Sequence, residues 1–138
     1  MNKSTPIVSD NSAFQISVQQ AERGVRIQLS DKATGFVWAD GSYRYTASVL
    51  SKDCVSIYQS LRETELSEEA GQITIRGKLG PLEVTHVLSL PADRPHLEEN
   101  FTFHNASAAS IRLNDLACSF QRVVTNRIGD ILPDLSSD

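Results

Sequence analysis

Apolar residues recur at every second position along most of this chain. The alternation is clearest over residues 82–120, LEVTHVLSLPADRPHLEENFTFHNASAASIRLNDLACSF. A period of two is that of a β-strand with one face buried. Three such runs follow one another there, separated by turn-rich breaks around 91–96 and 105–107. Leu82, Val84, His86, Leu88 and Leu90 share one face of the first run. Leu97, Glu99, Phe101 and Phe103 share a face of the second. In the third, Ile111 and Leu113 have odd parity and Leu116, Cys118 and Phe120 even parity. A β-bulge at Asn114-Asp115 would keep that face continuous.

The same pattern extends towards the N-terminus. Phe14, Ile16 and Val18 alternate with polar residues, as do Val25, Ile27 and Leu29. The loop 30–35 has an Asp that can close a turn through its side chain and a Gly that supplies positive φ. Residues 36–39 read as the return strand, and Tyr43, Tyr45, Ala47 and Val49 as the next. A short β-branched strand is predicted over 54–58, and a hairpin over 61–66 and 72–79 around Glu68-Glu69-Ala70-Gly71. Residues 1–12 are polar and read as a flexible arm or a short edge strand; residues 13–138 form the domain. The only helical candidate, 64–70, is too short and too acidic. The fold class is therefore all-β: an antiparallel β-sandwich of about nine or ten strands. Periodicity does not separate a sandwich from a closed barrel.

Composition narrows this picture modestly. A chain of 138 residues is one domain, and it buries roughly two thirds of its unfolded surface. The net charge of −4 argues against nucleic acid and anionic membrane as partners. Glu63, Glu65, Glu68 and Glu69 read as a solvated hairpin end. Cys118 shares the apolar face of Leu116 and Phe120 and reads as a small buried hydrophobe; a bridge to Cys54 has no support in the pattern. The N-terminus lacks an apolar signal core and no run is long enough to span a membrane, so a soluble, cytoplasmic protein is expected. The abrupt polar end at Asp138 reads as a fragment of something longer.

Candidate chemistry is sparse. His86 and Glu99 are polar residues at positions assigned to the buried face. If Leu90 pairs near Leu97, His86 falls opposite Phe101 and Glu99 lies diagonal to it. The pair is either structural, as a hydrogen bond in the core or through a slipped register that puts Glu99 at the sheet edge in water, or a catalytic acid–base pair lining a groove. Trp38 shares parity with Phe36, which favours core packing; the alternative is a sugar-stacking platform beside Asp40 and Arg44, and Tyr43 carries the same ambiguity. His104 belongs to the polar face. No ligand-spaced cluster suggests a metal, and no cofactor is expected. Asn105-Ala106-Ser107 is a formal glycosylation sequon, better read as turn chemistry.

The order Asp31-x-x-Thr34-Gly35, then Phe36-x-Trp38, resembles the opening hairpin of galactose-mutarotase-like β-sandwich ("supersandwich") domains. The later order fits as well: Leu88-Ser89-Leu90, Asp93-x-Pro95, Leu97-Glu98, Asn105-Ala106-Ser107 and Ile111-x-Leu113. The resemblance covers about residues 14–120. It implies a non-catalytic N-terminal module of a bacterial glycoside hydrolase, with a C-terminal catalytic domain of the same chain as partner and carbohydrate as a ligand. The full sandwich of that family is about twice this length, so a piece of it would end where this chain does. The family's mutarotases use a His and a Glu, but their motifs do not align with His86 and Glu99, and the roles are not carried over.

Overall fold

The computed structural model describes residues 5–120. In chain order it contains β1 (Ile7–Asp10), β2 (Phe14–Gln20), β3 (Val25–Asp31), β4 (Val37–Ser42), β5 (Arg44–Ser51), β6 (Cys54–Tyr58), β7 (Arg62–Glu69), β8 (Gln72–Leu79), β9 (Leu82–Ser89), β10 (Glu98–Asn105) and β11 (Arg112–Ser119). Among the described residues there is no helix, and none long and apolar enough to cross a membrane. The strands form three antiparallel sheets, ordered β1-β2-β3-β4, β7-β8-β9-β10 and β6-β5-β11. No sheet closes on itself, so the all-β fold is sandwich-like rather than a barrel. Ten strands match the predicted runs. The eleventh is β1, an edge strand paired with β2 inside the segment expected as an arm or a short edge strand. The polar stub after Phe120 lies outside the described residues.

One core unites the three sheets. Ile16, Val18 and Ile27 come from the first, Tyr45, Ala47 and Val49 from the three-stranded sheet, and Ile73, Ile75, Val84 and Leu88 from the third. All alternate with more exposed neighbours along their strands, as a period of two requires. The bulge expected at Asn114-Asp115 is present: β11 slips against β5 between Leu113 and Asp115. Beyond it, Leu116, Cys118 and Phe120 pack against the core.

Tight turns set the hairpins. Ala70 and Gly71, at φ 54° and 81°, form the two-residue link between paired Glu69 and Gln72. Two successive positive φ angles are what the right-handed twist of a hairpin demands. Lys52 and Asp53 do the same between β5 and β6, at φ 52° and 67°, without a glycine. Gly80, at φ 60°, is constrained twice, since a Cβ there would stand 2.5 Å from the Tyr58 ring.

Asn11 fastens the longest irregular connection to the first sheet. Its side chain is buried, with Nδ2 donating to the carbonyls of Pro91 at 3.1 Å and Arg94 at 2.9 Å, and more weakly to His96. Its Oδ1 accepts from the backbone N–H groups of Ala13 and Phe14. One amide thus satisfies donors of its own turn and carbonyls some eighty residues away.

Two outcomes are expected in urea unfolding. Asn11→Ala should lose about 2 kcal/mol, because buried carbonyls and N–H groups lose their partner. Asn11→Asp should not restore it, since a carboxylate cannot donate to the 91–96 carbonyls. Asp53→Gly should gain about 1 kcal/mol by relieving the left-handed backbone; an unchanged midpoint would show that this turn carries no strain.

Candidate functional site

His86 lies in the middle of β9, an internal strand, between Ile75 on β8 and Phe101 on β10. That position excludes water: its side chain is 0% exposed. The imidazole stacks on Phe101, with ring centroids 4.1 Å apart and planes 17° from parallel. The expected register holds, with His86 opposite Phe101 and Glu99 paired with the adjacent inward residue, Leu88. Glu99 reaches back from edge strand β10, so that its Oε1 stands 2.8 Å from His86 Nε2. On the other side of the ring, Nδ1 lies 2.9 Å from the Tyr45 hydroxyl. The Tyr43 hydroxyl donates to the same Glu99 oxygen at 2.9 Å.

With Glu99 ionised, the network assigns the protons. His86 Nε2–H and Tyr43 O–H donate to Oε1, and Nδ1 accepts from Tyr45. Both phenols are held in the protonated form that this chain of bonds needs. Burial, then the Glu99 charge, pushes the Tyr43 phenol far above the usual tyrosine range. Burial does the same to Tyr45, with smaller contributions from Cys118 and Glu99. The Cys118 thiol is also pushed up, by burial and then by Glu99. It is a poor nucleophile for that reason, and both cysteines are free thiols.

The sequence-predicted pair is therefore brought together, but only half of it meets water. Glu99 is 25% exposed, and His86 is sealed behind it. The imidazole donates to the carboxylate and orients it; it cannot reach a substrate in this arrangement.

The other expected site residues separate. Trp38 is not in the core, as its parity with Phe36 suggested; it is 51% exposed and meets Phe36 edge-to-face at 4.8 Å. The inward positions of β4 are Ala39 and Gly41, while Trp38 and Asp40 point outward. Trp38 is also the residue skipped in the pairing with β3, where Leu29 faces Ala39 and Ser30 faces Val37. Bulges of this kind re-aim side chains at sheet edges. Tyr43 goes the other way. At 5% exposure, packed against Tyr45, His86 and Phe120, it has no free face for a sugar. Arg44 is exposed, but Asp40 pairs with Arg26 instead, at 3.4 Å. The Asp31 carboxylate accepts from the Thr34 N–H and hydroxyl, which holds it below the ordinary carboxylate range.

His104 and the four glutamates of the β7 hairpin are exposed, as their pattern predicts. Asn105 forms a side-chain turn, accepting from Ser107 and donating to the Ala109 carbonyl. Among the described residues, no three His, Cys, Asp or Glu side chains gather as metal ligands would. Sequence reasoning missed Asn11 and the Arg26–Asp40 pair. The only local signal for Asn11 was its place in a turn. The comparisons with protein-family models, curated proteins and solved structures give no match to this chain.

The network has measurable consequences. His86→Ala should lose about 3 kcal/mol, because it leaves the Tyr45 hydroxyl unpaired, takes from Glu99 one of its two donors and opens a cavity. Glu99→Gln, which keeps an acceptor oxygen, should lose about 1 kcal/mol. Stability should be flat with respect to these phenols below the ordinary tyrosine value near 10. It should fall above that pH, where the unfolded chain releases protons that folded Tyr43 and Tyr45 retain. Phenolate absorbance during alkaline titration checks this: the signal of these two residues should appear only with unfolding, and Tyr43→Phe should flatten the decline.

Proposed function

We propose that this chain is a non-catalytic β-sandwich module of a carbohydrate-active enzyme of the glycoside hydrolase type, which packs on a catalytic domain and contacts glycan. The observation that carries the reading is an asymmetry of exposure. The acid–base pair on the inward face, His86 and Glu99, has its imidazole buried, while the one tryptophan of the chain stands half-exposed on the outer face of a sheet; His96 and Glu98 also meet, at 3.1 Å, but as an exposed pair in and beside the 91–96 loop. Catalysis needs a proton-transfer group within hydrogen-bond reach of substrate, and His86 has none. A sugar ring needs an exposed aromatic face for its C–H side and polar groups for its hydroxyls, and Trp38 with its neighbours offers both. The galactose-mutarotase-like order of residues around Asp31, Thr34, Gly35 and Trp38 supports the same reading. A stand-alone carbohydrate-binding module would use the same tryptophan, and a catalytic domain downstream in the natural chain separates the two.

The direct test uses the chain as it stands. Mutarotation of aldoses and hydrolysis of aryl glycosides should be undetectable, and Trp38 fluorescence should shift saturably with oligosaccharide. Turnover that disappears in Glu99→Gln would instead make this a small sugar-acting enzyme.

A further inference from the structure

The outer face of the first sheet carries more than an isolated tryptophan. Outward positions of β2, β3 and β4 align in rows, because Ser17 pairs with Gln28 and Gln28 with Asp40, while Gln19 pairs with Arg26. These five side chains line a shallow depression of about 200 Å³. Trp38 stands two residues from Asp40 on the same face of β4, about 7 Å along the strand. It forms, with Phe36, Thr34 and Gly35, an open apolar surface at the end of the rows. Aromatic platform and polar depression therefore share strand β4, which is the edge of its sheet among the described residues.

We propose that this strip is a binding site for a neutral oligosaccharide lying across β4, β3 and β2, a refinement that rests on the glycan-contacting role proposed above. One sugar ring stacks on Trp38. The following rings lie over the depression, where Gln28, Gln19 and Ser17 supply amide and hydroxyl donors and acceptors. Three strands at about 4.8 Å spacing give a span of roughly 10 Å, which suits a short oligosaccharide better than a single sugar.

Charge selects the ligand class. The strip has one cation and one anion among these side chains, Arg26 and Asp40, and they meet each other at 3.4 Å. Nearby Asp31 spends its carboxylate on Thr34. A uronate would have to break the Arg26–Asp40 pair and would face a second carboxylate. A cationic amino sugar would have to displace Arg26 from Asp40. Neutral hydroxyls leave the pair intact and bond to its outer edges.

The test is titration calorimetry with cellohexaose, maltohexaose and xylohexaose as neutral probes, hexagalacturonate as the anionic one and a chitosan hexamer as the cationic one. At least one neutral probe should bind, and more tightly than both charged ones. Trp38→Ala should weaken binding about thirtyfold and Gln28→Ala about fivefold. His104→Ala, on another sheet, should change nothing. All three positions are exposed, so unchanged thermal melting confirms folding. Binding of a neutral probe that survives Trp38→Ala and Gln28→Ala overturns the strip while leaving a glycan-contacting module standing. Preference for a charged probe overturns the ligand class. No binding to any probe, as would follow if a protein partner covers this face, overturns the strip and the glycan contact together.

Discussion

A buried imidazole must find a partner for each ring nitrogen, and the packing of two of the three sheets follows from how His86 does so. Tyr45, on the three-stranded sheet, meets one nitrogen, and Glu99, on the edge strand beside His86, meets the other. Tyr43 ties the carboxylate back to the segment where the chain leaves the first sheet. The same ring is stacked on Phe101, so the polar chain is enclosed by apolar surface. In a low-dielectric setting each of these groups would be costly alone, and together they are satisfied. The arrangement also explains why edge strand β10 can carry an inward carboxylate. Its side chain is 25% exposed at that edge, and hydration there offsets the charge that burial would penalise.

Most of the fold was legible because its signal is local. Period-two alternation, with Gly, Asn and Asp at the breaks, located ten strands and placed the β11 bulge from a parity switch alone. The pairing of His86 with Phe101 followed from setting Leu90 near Leu97 on consecutive strands, where the inward and outward alternation leaves register few alternatives. What escaped was of two kinds. The partners of Asn11 lie in a loop distant in sequence, and no local pattern encodes them. Trp38 was misplaced for a different reason: hydrophobicity was read as inward-facing. The residues that face inward on β4 are Ala39 and Gly41, which are small enough to leave no periodic signal. An aromatic residue sharing parity with Asp40 was the available warning.

The candidate site shows how far residue types can be trusted. His and Glu close together resemble catalytic machinery, yet the same distances describe a core device whose working end is one carboxylate. Burial, not proximity, separates the two. The tryptophan, which carries no titratable group, becomes the more informative residue because it is exposed where packing would have hidden it. The layers that build such a scaffold do not by themselves decide what it does.

The order of the sheets has a kinetic meaning. Within the described residues, β1 to β4 pair in sequence, as do β7 to β10 and β5 with β6. These hairpins can form with little loop-closure entropy. The pairing of β11 with β5 is different, since the whole third sheet lies between them in the chain. Bringing them together closes a far longer loop, whose entropic cost falls as the intervening strands compact. The Tyr45 hydroxyl that completes the His86 network sits on β5, beside Cys118 of β11. Among the described residues, the strand that closes the longest loop is thus the one that pairs with β5 beside Tyr45, whose hydroxyl completes the polar chain.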